Sequence, residues 1–199
     1  METQRPFSVR SWTWLTTAGF ILGILLFLAI AEIMEGLKID YQTPLGFSMG
    51  LSIALMQWLL LRKQIEKSFN WVVLSVAAMT AVFLLFDILH PVFKLNIEYL
   101  LYPFFIAGIL LSAYLQVRYM LSKVSKKAVW WNVYNLAGWL ACCILLSVIY
   151  IDSLKLWSRN TEVIVNLLAF ILCGPALGYI SGKGMKIILE NKIEVEENC

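Results

Sequence analysis

Six long apolar runs separated by short polar connections dominate this 199-residue chain, and that pattern leaves few folds open to it. A bilayer hydrocarbon core about 30 Å thick takes roughly 20 residues of helix to cross. Lipid offers the backbone no hydrogen-bond partner, so each run must satisfy its own N–H and C=O groups as a helix. The runs cover residues 13–34, 45–61, 71–89, 95–117, 130–151 and 163–182. They predict an all-α polytopic membrane protein: one integral domain, six transmembrane helices and a cytoplasmic tail over 183–199. Composition agrees, with 60% hydrophobic and 15% charged residues against about 45–50% and about 25% in soluble domains, and a mean hydropathy of +0.77. The spans use up nearly the whole chain, which leaves no room for a separate soluble catalytic domain. The first run is longer than a signal-peptide core and lacks a small-residue cleavage site, so it reads as a retained span.

Charge then orients the spans. Arg5, Arg10, Arg62, Lys63, Lys67, Arg118, Lys123, Lys126, Lys127, Lys183, Lys186 and Lys192 fall on one side, and only Lys38, Lys94, Lys155 and Arg159 on the other. Short loops rich in Lys and Arg stay in the cytoplasm. Both termini are therefore expected there, in a bacterial inner (plasma) membrane. Trp12, Trp14, Trp58, Trp71, Trp130 and Trp131 are expected in an aromatic belt at the inner interface, with Trp157 near the outer one. No basic stripe with interleaved aromatics points to nucleic acid.

An internal match suggests that the six spans are three helical hairpins. Shifting the chain by 59 residues lays Gln57 on Gln116 and Trp71 on Trp130, with basic loops between. Gly46-xxx-Gly50 corresponds loosely to Gly108-xxx-Ser112, and Gly174-xxx-Gly178-xxx-Gly182 repeats the small-residue theme in the sixth span without a glutamine. Three hairpins of one orientation form a parallel repeat around an axis along the membrane normal. Gly50-Leu-Ser-Ile-Ala-Leu-Met-Gln57-Trp58-Leu-Leu-Leu-Arg62, followed by Trp71-Val-Val-Leu, resembles the repeated G-L-x-x-G-x-x-Q-W-L-x-L-R segments of multi-span bacterial membrane proteins. The second copy departs from it, with Val117 in place of the Trp and Leu121 in place of the Arg. The resemblance implies a membrane fold and no particular activity.

Polar residues inside the spans carry the functional expectations. Gln57, Gln116 and Asn135 are expected to hydrogen-bond between helices, a use that contributes on the order of 0.6–2 kcal/mol each. Gly46, Gly50, Gly174, Gly178 and Gly182 recur every fourth residue, so they share a helix face and favour close packing. Ionisable groups at span ends are expensive and are functional candidates by default. Asp87 and His90, three apart on one face, are candidates for cation or ligand contact together with Glu32 and Asp152. Glu35, Asp40, Glu98 and Glu162 extend the same acidic outer rim. Pro103 and Pro175 are expected to break or kink their helices. The four cysteines lack CxxC or zinc-ligand spacing, and Asp87 with His90 supplies two ligands where a catalytic zinc needs three; neither a metal nor a cofactor is expected.

No GxSxG, HExxH, GxGxxG or GxxxxGK[ST] motif is present, so an enzyme is the least supported class. The expected function is a non-enzymatic membrane module, a scaffold or accessory subunit serving a partner protein or assembling with itself, in a stress or defence system for instance. The alternatives are a small cation channel or transporter using the acidic outer mouth, and a membrane enzyme acting on lipid through Asp87, His90 and the outer acids.

Overall fold

Every apolar run becomes an α-helix, and most helices outlast the hydrophobic stretch that nucleates them. The structure, a computed structural model, describes residues 7–37, 41–93, 97–153 and 159–192, without the side chains of 97–102, 146, 148–153, 159–167 and 170. The helices are α1 (Val9–Gly36), α2 (Thr43–Leu61), α3 (Asn70–Phe93), α4 (Ile97–Tyr119), α5 (Trp130–Ser153) and α6 (Arg159–Glu190). Four segments among the described residues, Val9–Gly36, Thr43–Leu61, Asn70–Phe93 and Pro103–Lys123, are long and apolar enough to cross a membrane.

Each helix packs against the next in sequence, and α6 returns to α1, so the six close into a ring; among the described residues α4 and α5 share the sparsest of these interfaces. The outer surface carries exposed Leu25, Leu28 and Ile33 on α1, Leu84, Leu85 and Ile88 on α3, Ile144 on α5 and Leu172 on α6. So many exposed large apolar side chains are unusual on a protein in water, whereas lipid accepts them.

Glycine brings the helices into contact. A Cβ on Gly46 would lie 2.7 Å from the Met79 carbonyl oxygen of α3, and one on Gly50 3.2 Å from that of Ser75. Gly174, Gly178 and Gly182 face α1, where added Cβ atoms would meet Thr17 Cα at 3.0 Å, Thr13 Cα at 2.8 Å and Trp12 Cδ1 at 2.9 Å. A further pair, Gly19 and Gly23, seats α1 on the backbone of α2 at Ile53 and Met49. That Gly-xxx-Gly spacing is present in the sequence.

Two expectations need correction. The sixth helix is not broken, since α6 runs unbroken through Pro175 to Glu190. A proline costs one backbone hydrogen bond, a loss that a helix packed on both sides, as α6 is against α5 and α1, tolerates. Residues 183–190 continue α6 as its last turns, and 193–199 lie outside the described residues. Nor do the tryptophans form one belt. Trp14 and Trp130 are exposed, whereas Trp12, Trp71 and Trp131 are fully buried inside the ring.

Candidate functional site in the helix ring

The buried tryptophans stand in the first turn or so of α1, α3 and α5, which brings all three to one end of the ring. Their ring centroids are 6.3 Å (Trp12–Trp71), 6.1 Å (Trp12–Trp131) and 5.1 Å (Trp71–Trp131) apart, every pair edge-to-face. Aromatic rings prefer that geometry because a positive edge meets a negative face, a gain of about 0.5–1.5 kcal/mol per pair beyond area burial. Each indole N–H needs an acceptor here, and the preceding helix supplies it. Trp71 Nε1 donates to Gln57 Oε1 of α2 at 3.1 Å, Trp131 Nε1 to Gln116 Oε1 of α4 at 2.7 Å, and Trp12 Nε1 to Ser181 Oγ of α6 at 3.0 Å.

The glutamines reach backwards as well. Gln57 Nε2 donates to Thr16 Oγ1 of α1 at 3.3 Å, and Gln116 Nε2 donates to Ser75 Oγ of α3 at 2.7 Å. Each glutamine thus ties three consecutive helices. Thr16 and Ser75 sit one turn beyond Trp12 and Trp71; the residue one turn beyond Trp131 is Asn135. In the third place the pattern fails, because Ser181 turns its hydroxyl to the Leu177 carbonyl at 2.7 Å and is too short to cross to α5. The Asn135 side chain is buried, and among the described residues it makes no hydrogen bond.

Below the tryptophans, fully buried Leu61, Leu121 and Met185 close the same end. The connections α2–α3 and α4–α5 repeat one conformation. Gln64 and Ile65 N–H groups donate to the Leu61 carbonyl, each at 2.9 Å, as Val124 and Ser125 do to Leu121. Residues 61, 65, 68 and 71 are buried in one and 121, 125, 128 and 131 in the other. This offset is 60 residues, not the 59 that joins Gln57 to Gln116. One extra residue therefore lies between Gln116 and Leu121, where Met120 leaves the helical region at φ −125°. It makes Trp131 the counterpart of Trp71, in place of the Trp130 that equal spacing selected.

Arg62, Lys63, Lys67, Lys123, Lys126, Lys127 and Lys192 gather around these connections. Lys192 Nζ donates to the Gln64 carbonyl at 3.0 Å, and Ser125 Oγ donates to the Asn191 carbonyl at 2.7 Å, so the end of α6 is tied to both connections.

Above the tryptophans lies a cavity of about 50 Å³. Its polar lining is Gln57, Ser75, Ser112, Gln116 and Asn135, with Trp131 and Met79 among its apolar walls. Beyond it Phe20, Trp139, Phe105 and Phe83 form a second aromatic layer, Phe105 and Trp139 being 4.9 Å apart. No charged residue lines the cavity. Its chemistry is neutral hydrogen bonding, since an ion in such a place has nothing to offset its lost hydration.

The acidic candidates lie elsewhere. Asp87, near the end of α3, accepts from Gln42 N–H at 2.7 Å, Thr43 N–H at 2.8 Å and Thr43 Oγ1 at 2.5 Å. The Gln42 side chain does not cap α2, so a carboxylate from the next helix caps it, where the helix dipole favours negative charge. His90 stacks on Phe86, with centroids 5.8 Å apart. Glu32 is exposed, and the Asp152 side chain lies outside the described residues. No ion pair joins Glu32, Asp87 and His90, and no group of three or more potential metal ligands occurs among the described residues. The thiols of Cys142 and Cys173 face each other's helix backbone between α5 and α6, Cys142 Sγ lying 3.2 Å from the Cys173 carbonyl.

Sequence reasoning selected Gln57, Gln116 and Asn135 but missed Trp12, Thr16, Ser75 and Ser181, which complete the arrangement. Trp12 precedes Trp71 by 59 residues, and Thr16 precedes Ser75 by the same step, so the signal was available in the first span. Comparison with family models, with curated proteins and with solved structures finds no match to this chain.

Proposed function

We propose that this chain is a non-enzymatic, six-span module of a bacterial inner membrane, with both termini and its basic connections in the cytoplasm. In this reading three hairpins related by a rough three-fold axis build a rigid, non-conducting ring that serves as scaffold or accessory subunit to a protein partner or to further copies of itself. The observation that carries it is the tryptophan trio. Three fully buried indoles, each hydrogen-bonded to the preceding helix, fill the axis that a channel would need open. Asp87, the strongest candidate for a cation contact, spends its carboxylate on capping α2, which weighs against the channel reading. The exposed bases at that end of the ring suit a cytoplasmic surface, and their positions follow the rule that keeps Lys and Arg inside.

Reconstitution into liposomes loaded with a cation-sensitive dye tests the reading directly. Na⁺ and K⁺ flux is expected at the level of empty liposomes, and crosslinking in native membranes is expected to recover a protein partner or a homo-oligomer. A flux well above that level that Asp87→Asn abolishes would replace this reading with the channel.

A further inference from the structure

The cavity lies where the interhelical pattern is incomplete. Two glutamines bridge forward to a tryptophan and back to a hydroxyl, but on α6 a serine stands at the third place, and the Asn135 amide that it leaves without a partner is 9% exposed and lines the cavity. Leu177, one turn before Ser181, lines it too. The missing side chain would have brought a primary carboxamide to this point. What remains is a space with a donor and acceptor in Asn135, a hydroxyl in Ser112 that makes no hydrogen bond among the described residues, and no charge.

We propose that the cavity is a binding site for a small neutral molecule that both donates and accepts hydrogen bonds, held by Asn135 in place of the absent glutamine amide. A volume of about 50 Å³ admits a carboxamide the size of acetamide, or a cluster of three or four waters at roughly 10–15 Å³ each. Both have the required chemistry. A buried donor–acceptor group left unmet is destabilising, so an occupant that meets it stabilises the ring. Entry has a natural place, since the cavity borders both α4 and α5, the sparsest interface of the ring among the described residues. The inference does not depend on the scaffold reading, because a sealed axis and a conducting one both leave Asn135 to be satisfied.

The test uses the full chain in lipid nanodiscs, with acetamide as the probe and a comparably sized hydrocarbon as the apolar control. Acetamide is expected to raise the unfolding temperature saturably, with half-saturation in the millimolar range as befits so small a ligand, and to shift the ¹⁵N side-chain resonance of Asn135. The hydrocarbon is expected to do neither. Ser181→Gln, which restores the missing amide, is expected to remove both responses, and Asn135→Leu to remove the temperature response; the second variant serves should the first not fold. If acetamide has no effect but the Asn135 amide gives cross-peaks to long-lived water that Ser181→Gln removes, water is the occupant and the site stands. Absence of both signals, or an acetamide response that survives both substitutions, overturns the proposal.

Discussion

At the scale of single residues, the two glutamines do more than adhere one helix to the next. Replacing Gln116 by leucine deletes two hydrogen bonds of 2.7 Å and leaves the buried Trp131 N–H and Ser75 hydroxyl without that partner. An orphaned buried donor costs about 1–3 kcal/mol, so Gln116→Leu should destabilise the ring by about that much in a denaturant titration in detergent. Gln57→Leu should cost less, since its bonds are longer, at 3.1 and 3.3 Å; an equal or larger loss would contradict the ranking. Asp87 offers a second contrast. As a cap made by a neighbouring helix, Asp87→Ala should cost about 1–2 kcal/mol, and Asp87→Asn less, because the amide oxygen can still accept. Were Asp87 a cation site instead, neither change would lower stability while both would alter ion flux.

Helix existence was legible at the next scale because lipid-length apolar runs admit one conformation, and the spans expected from hydropathy differ from the observed helices mainly at their ends. The residue-level register was harder to read. A strict 59-residue shift selects Trp130 for the site, and one residue added after Gln116 turns the fifth helix so that Trp131 faces the axis and Trp130 is exposed. Hydropathy is blind to that rotation, because indole suits a lipid interface and a packed core equally well. The same ambiguity placed Trp12 and Trp71 in an aromatic belt. Glycine spacing carried more information, since Gly174, Gly178 and Gly182 align on α1 as four-residue periodicity requires. Gly178→Val should therefore separate α6 from α1, costing about 1–3 kcal/mol by overpacking. Gly36→Ala, at a position with nothing within 4 Å, should be neutral. Thermal unfolding of the two variants side by side checks the pair, and equal effects would mean that backbone contact does not set this interface.

For the molecule as a whole, the closed ring fixes a relation that hydropathy alone leaves open. The tryptophan hydrogen bonds join the start of α1 to α6, the start of α3 to α2 and the start of α5 to α4. The beginnings of the odd helices and the ends of the even ones therefore meet at one end, where the Lys192–Gln64 and Ser125–Asn191 contacts tie the two connections to α6. If this end lies in the cytoplasm, sites at 63, 122 and 192 must share one face of the membrane and Tyr41, between α1 and α2, must lie on the other. In a background with Cys199→Ser, membrane-impermeant maleimide should label Lys63→Cys, Ser122→Cys and Lys192→Cys in inside-out vesicles and Tyr41→Cys in right-side-out ones. In the proposed topology a single span separates residues 63 and 41, so labelling both from one face would remove the second crossing and with it the proposal of three hairpins. The buried thiols of Cys142 and Cys173 should stay unlabelled from either side until the ring is unfolded.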